Sequence, residues 1–255
     1  MKFIDTHCHL YVEEFIADVN EVIKKAMENG VEKFYLPSID SSEMQNLLEL
    51  EAAYKENCFA MAGLHPCSVK ENYEEELDLV EFWLKRRRFA AIGEIGLDFY
   101  WDTTFSEEQY RAFSQQMQWG LDFDLPIVIH TRNAMEETIN SVKPFAAKGL
   151  RGIFHCFSGN RAQAEEIISM GFLLGIGGVI TFKNSGLAES IKDIPLEYMV
   201  LETDAPYLAP VPFRGRRNES SYIPLIAKKL ADVKNIPLEE VARVTTENAE
   251  KVFAI

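Results

Sequence analysis

Lys2-Phe3-Ile4-Asp5-Thr6-His7-Cys8-His9 opens the chain with a short apolar, β-branched run that closes on two histidines. The same pattern returns along the sequence. Three further runs, CFAMAGLH, LPIVIH and LRGIFH, end at His65, His130 and His155, so all five histidines of the chain sit at strand-like ends. Glu94 in AAIGEIG and Asp204 in YMVLETD sit in the same way. Strand-like runs are expected over Lys2–His9, Lys33–Ser38, Cys58–His65, Phe89–Ile95, Pro126–His130, Gly152–His155, Phe172–Gly177 and Met199–Asp204. Helical periodicity fills the gaps. Phe15, Val19, Val22, Ile23 and Ala26 keep i, i+3, i+4 spacing, with Asn29-Gly30 as the stop. Helices follow over Ser41–Tyr54, Tyr73–Lys85, Ser106 to Phe123 (opened by a capping-box pattern, Ser106 to Gln109), Ala134–Ala146, Arg161–Met170 and Ser185–Ile191. The tail reads as three more, Ile223–Val233, Pro237–Val244 and Thr246–Phe253.

Eight strands alternating with helices in 255 residues is the arithmetic of an α/β protein of the (β/α)8 TIM-barrel class. A doubly wound open sheet is the alternative. The first strand is not followed by a G-x-G-x-x-G turn, and the chemistry-bearing residues come from six different strands. A closed barrel brings six strand ends to one rim, whereas an open sheet spreads them apart. With no linker, repeat or low-complexity segment, residues 1–255 read as a single domain.

The net charge of −14 argues against a protein coated in nucleic acid or lying on an anionic membrane, while leaving room for a local cationic site. Cys8, Cys58, Cys67 and Cys156 form no C-x-x-C pair and are too few for a disulfide framework, which points to a reducing, cytoplasmic setting. Asp5 and His7 interrupt the first apolar run, so no signal peptide is read there. The longest strongly apolar stretch, Phe172 to Ile180, falls well short of the ~20 residues of a membrane span. Nothing in the sequence calls for an obligate protein partner.

Side chains alternate along a strand, so His7 and His9 face one way and Cys8 the other. Two inward histidines can share one metal ion. Glu94, among Ala91, Ile92, Ile95 and Leu97, would be a costly buried charge unless paired, and its two oxygens can bridge cations ~3.5–4 Å apart. Taken singly, His130 or His155 reads as a satisfied core histidine; beside the acids they read as ligands to a second metal. Asp204 can bind metal and accept a proton from an attacking water. Glu202, two residues earlier, is either support for a ligand or a buried, paired acid. His65, in GLHP, is placed as a contact to substrate or leaving group, or as structural packing against Pro66, and not as a ligand. Arg132, Lys183 and Arg214 are candidate anion contacts, and Arg214, Arg216 and Arg217 form a basic loop in an acidic chain. Phe99, Tyr100, Trp101 and Phe157 follow ligand candidates, where they either stack on bases or pack the rim and core.

These residues resemble those of the TatD-type metal-dependent deoxyribonucleases of the amidohydrolase superfamily. The likeness runs from FIDTHCHL to TTENAEKVF, through GLHP, GEIGLDFYWD, PIVIHTRNA, HCFSG, GIGGVITFKN, LETDAPYLAP and RGRRNE in that order. It implies a hydrolase with two divalent metals: His7, His9, Glu94 and Asp204 on one, Glu94, His130 and His155 on the other. Asp204 is then the proton acceptor, with Glu94 the second catalytic residue. The implied activity is nuclease action on DNA, removing nucleotides from the 3′ end, on single-stranded ends in keeping with the acidic charge. Four imidazoles put zinc first, with Mn, Ni, Co, Fe or Mg as alternatives. Two residues depart from the family pattern, Tyr11 in place of Asp or Asn and Ser220 in place of Pro, and both are expected to alter the rim. Rival readings are a hydrolase of another ester or amide, such as a tRNA ester or lactone, and a non-catalytic binding module with structural histidines. Related barrels often bridge their metals with a carboxylated lysine from strand four, and Glu94 in that place favours the nuclease branch.

Overall fold

The computed structural model describes residues 1–254. Eight strands run in chain order: β1 (Phe3–Asp5), β2 (Val31–Leu36), β3 (Cys58–Ala60), β4 (Ile92–Asp98), β5 (Ile127–Arg132), β6 (Gly152–Phe154), β7 (Leu173–Ile176) and β8 (Met199–Leu201). Each pairs in parallel with its sequence neighbour, giving one ladder β1-β2-β3 and another β4 to β8. Two seams close them into a barrel. At the first, Ala62 N–H donates to the Ala91 carbonyl (3.2 Å) and Gly93 N–H to the Ala62 carbonyl (3.0 Å). At the second, Thr6 N–H donates to Leu201 (3.0 Å), Asp204 N–H to His7 (2.9 Å) and His9 N–H to Ala205 (2.7 Å). The expected α/β (β/α)8 architecture is therefore the one observed. Its ladders thin out beside the residues expected to carry chemistry.

The helices are α1 (Val19–Glu28), α2 (Met44–Ala53), α3 (Tyr73–Leu84), α4 (Ser106–Asp122), α5 (Met135–Ala146), α6 (Arg161–Ser169), α7 (Leu187–Ile191), α8 (Ile223–Lys234) and α9 (Leu238–Val252). Three details differ from the periodicity. Phe15 lies in a separate 3-10 turn, Glu13–Phe15. The last two helical runs are one continuous helix, because nothing between Val244 and Thr246 breaks it. The capping box expected at Ser106 does not form: Phe105 is the N-cap, and the Gln109 side chain turns to the main chain of Asp98. The reciprocal box forms instead at Asn160 and Gln163 of α6.

Apolar helix faces pack on the outside of the strands. Inside the barrel a second cluster draws Ile4, Tyr35, Val128, Ile153 and Val200 from β1, β2, β5, β6 and β8, with Met61 just after β3 and Ala91 just before β4. Phe253, just past α9, stacks on Tyr35 with ring centroids 3.8 Å apart and plugs the N-terminal end. Apolar filling at one end leaves the C-terminal end to polar side chains. Truncating Phe253 to Ala should cost about 3 kcal/mol in urea unfolding. Metal binding at the opposite end should be retained, as calorimetry would show.

Candidate metal centre

Three strands deliver their ligand candidates by simple alternation. Val128 leads to His130, Ile153 to His155 and Val200 to Glu202, each two residues on, with Asp204 beyond the end of β8. Two strands break the phase. Ile4 to His7 and Ala91 to Glu94 are three apart. β1 ends at Asp5, and the β4 register slips between Ile92 and Ile95. Asp204 is held at φ 58°, a left-handed conformation unusual for a non-glycine residue and typical of functional positions.

Glu94 is the centre of the arrangement, 2% exposed and with no Lys or Arg paired to it among the described residues. Its Oε2 lies 3.0 Å from His7 Nε2 and 3.5 Å from His9 Nε2. Its Oε1 lies 2.8 Å from both His130 Nδ1 and His155 Nε2. Asp204 Oδ1 stands 3.7 Å from His7 Nε2 and 3.6 Å from His9 Nε2, and those two nitrogens are 3.3 Å apart. A tetrahedral shell with bonds of ~2.1 Å has ligand atoms about 3.4 Å apart. The separations of 3.0–3.7 Å among His7, His9, Glu94 and Asp204 match that spacing. His130 Nδ1 and His155 Nε2, 3.5 Å apart, make with Glu94 Oε1 a second set of three donors. Imidazole and carboxylate donors of this kind suit a divalent transition metal.

Hydrogen bonds behind the imidazoles sort them. The Tyr11 hydroxyl donates to the Pro37 carbonyl (2.6 Å), so its oxygen can only accept from His9 Nδ1 (3.2 Å). That leaves the Nε2 lone pair of neutral His9 facing Glu94 and Asp204. Asp98 Oδ2 accepts from His130 Nε2 (2.9 Å), freeing Nδ1 toward Glu94. Glu202 Oε1 faces His155 Nδ1 at a longer 3.5 Å and also accepts the Cys156 N–H. Glu202 fits there because residue 175 is glycine; a Cβ would stand 2.2 Å from its Oε2. His65 is sorted the opposite way. Its Nδ1 accepts the Cys67 N–H (3.0 Å), so the neutral ring carries its proton on Nε2, 3.4 Å from Glu94 Oε1. Despite that proximity, His65 is built as a donor and not as a ligand.

All six expected ligands thus meet at one mouth. Tyr11, 4% exposed, and Ser220, fully buried against Asp5 and Cys8, do not reach the rim. The expectation that they alter it is corrected: Tyr11 is a phenol in the support of His9. Asp98 was missed by sequence reading, although Glu94, Gly96 and Asp98 share one face of β4 by alternation. A cleft of about 770 Å³ opens over the cluster, lined by Glu94, His65, His130, His155, Asp204 and Arg132, with Trp101 and Tyr207 at its mouth. Lys183 and Arg214 are exposed on outer loops and are not part of this lining; Arg214 lies over the Phe182 ring at 4.6 Å. Arg217 is tied to Asp18 at 2.7 and 2.8 Å.

Electrostatics favour cations here. Burial pushes His9 down, but hydrogen bonds to Asp204 and Glu94 outweigh it and raise the ring to about 9. Burial also opposes a charge on His155, which Glu94 and Glu202 nevertheless hold well above its usual range. Burial and the neighbouring His155 lower His7. Burial would raise Asp204, but His9 and the adjacent imidazoles keep it below the usual carboxylate range.

A proton on His9 below about pH 9 competes with a metal for Nε2. Metal uptake at pH 7 should therefore release protons, and apparent affinity should climb as pH rises toward 9. Calorimetry in buffers of different ionisation enthalpy reads both. Tyr11→Phe removes the acceptor for His9 Nδ1–H and should weaken metal binding roughly tenfold. Titration against a competing chelator measures it, and unchanged affinity would exclude the support role.

The comparisons with known proteins agree with this architecture. The TatD related DNase family model matches residues 4–254. An uncharacterized metal-dependent hydrolase of Bacillus subtilis, YabD, is 37% identical over 252 residues, covering 98% of each chain. The 3′-5′ ssDNA/RNA exonuclease TatD of Pectobacterium carotovorum is 30% identical over 257 residues, covering 98% of this chain and 99% of its own. The crystal structure of YJJV, a TatD homolog from Escherichia coli, superposes with a TM-score of 0.93 at 29% identity, covering 99% of this chain and 98% of that one. A family match over nearly the whole chain, on a barrel of the same shape, makes this protein a member of the TatD-related DNase family of metal-dependent hydrolases.

Proposed function

We propose that residues 1–255 form one catalytic domain that hydrolyses phosphodiester bonds, removing nucleotides from the 3′ ends of single-stranded DNA. The observation that carries the reading is the split carboxylate of Glu94, with one oxygen toward His7 and His9 and the other toward His130 and His155. Such a carboxylate suits two neighbouring ions. His7, His9, Glu94 and Asp204 would hold one, and Glu94, His130 and His155 the other. Zinc is the first candidate, ahead of Mn, Ni, Co, Fe and Mg, because four imidazoles contribute. When bound, divalent cations here supply Lewis acidity toward a water and a phosphoryl oxygen.

The chain's own groups do the rest. Asp204 has the most open side chain of the carboxylates around the donors, at 14% exposed against 3% for Glu94, and can take a proton from a water in the cleft. His65 directs its Nε2–H into the same space and can donate to a departing oxygen. Arg132 supplies a guanidinium to a phosphate at the cleft wall, and Lys183 and Arg214 would meet phosphates farther along the strand. A net charge of −14 disfavours long duplex and leaves short, unpaired ends as the better substrate. The name of the Pectobacterium relative, which includes both ssDNA and RNA, supports an exonuclease and makes RNA a necessary comparison. Four unpaired thiols support a reducing, cytoplasmic setting. No helix among the described residues is long and apolar enough to cross a membrane.

End-labelled single- and double-stranded DNA and RNA, incubated separately with Zn, Mn and Mg, should be shortened from the 3′ end, single strands fastest. Glu94→Ala should lower that rate more than about 10³-fold with circular dichroism unchanged. Wild-type turnover of a lactone or tRNA ester without any action on oligonucleotides would replace this reading.

A further inference from the structure

Two large aromatic side chains stand out of the molecule beside the metal centre. Tyr100 is 51% exposed and Trp101 is 68% exposed, with their rings edge to face at 4.8 Å. Phe157, in contrast, is buried in the core. The Arg132 guanidinium lies 3.7 Å from the Tyr100 ring centroid and 5.1 Å from that of Trp101. Trp101 and Arg132 both line the cleft that holds Glu94 and His130.

The rings are exposed, and the backbone that carries them is fixed. Asp98 Oδ1 accepts the main-chain N–H groups of Tyr100 (2.9 Å) and Trp101 (3.2 Å). Its other oxygen accepts from His130 Nε2 at 2.9 Å. The Gln109 amide clamps the Asp98 main chain from both sides, at 2.9 and 3.1 Å. One residue beyond Trp101, Asp102 is held by Lys70 at 2.8 Å and by the Thr104 N–H at 2.9 Å. A single buried carboxylate therefore ties the aromatic pair to a histidine of the metal centre. Exposed aromatic faces on an anchored backbone beside a cation are suited to receive a flat, electron-rich ligand.

We infer that Tyr100, Trp101 and Arg132 form a stacking platform for an unpaired nucleobase of the substrate strand, set at a fixed reach from the scissile bond by Asp98. The inference rests on the phosphodiesterase reading and narrows its substrate to strands whose end bases are free. Every base offers a π face, so the platform tolerates sequence; a paired, stacked duplex end does not offer one. Arg132 closes the platform and directs its charge toward the backbone of the stacked nucleotide.

Steady-state kinetics of the metal-loaded enzyme on a single-stranded DNA oligonucleotide test this. Trp101→Ala should raise KM about tenfold with kcat within about twofold of wild type, and Trp101→Phe should recover most of the loss. The gap between wild type and Trp101→Ala should close on an oligonucleotide whose last two residues are abasic. Metal content of the variants, read by elemental analysis, should equal that of wild type. Wild-type KM in Trp101→Ala, or a gap that persists on the abasic strand, overturns the platform and leaves the phosphodiesterase reading intact. A wild-type enzyme that cleaves no oligonucleotide overturns both.

Discussion

The site depends on a carboxylate with nowhere to put its charge. Glu94 is buried at the closed end of the cleft, and the groups within reach of its oxygens are imidazoles, not permanent cations. An ionised carboxylate in that setting is expensive unless positive charge is brought to it. In the metal-free chain, protonated histidines supply the charge, which is why His9 and His155 are pushed up against the pull of burial. Divalent ions bound here would supply it instead, on the same nitrogens that hold protons in their absence.

Orientation is settled one layer farther out. The Tyr11 phenol and the Asp98 carboxylate accept from the far nitrogens of His9 and His130, and the Glu202 carboxylate faces that of His155 from 3.5 Å. The neutral phenol behind His9 withdraws less proton density than a carboxylate would, so His9 is the more weakly assisted donor. The main-chain N–H of Cys67 turns His65 round. Five histidines that look equivalent as strand ends thus divide: hydrogen bonds turn His9 and His130 one way and His65 the other, while the outer nitrogens of His7 and His155 have no hydrogen-bond partner among the described residues.

Much of this was legible in the sequence, because strand alternation is a strong rule. It carries His130 and His155 to one face from Val128 and Ile153. It also pointed to the barrel, since residues from so many strands can meet only on a closed sheet. Outer partners were less legible because they are local geometry: Gln109 reads as half of a helix cap until it is seen gripping Asp98. Tyr11 and Ser220 stood out as departures, but a sequence does not say whether a residue after a strand lies on the rim or beneath it. Lys183 and Arg214 were singled out for their charge, which carries no information about distance from the cleft.

The barrel's two seams lend this centre a mechanical side. His7 and His9 belong to the three-stranded half, whereas Glu94 and Asp204 belong to the five-stranded half. Where the ladders are sparsest, the facing donors come from opposite staves. A cation gripped by all four would act as a clasp across the joint. The bonds that make such a centre reactive would also hold the hoop shut, and demetallation would loosen the whole cylinder as well as silence it.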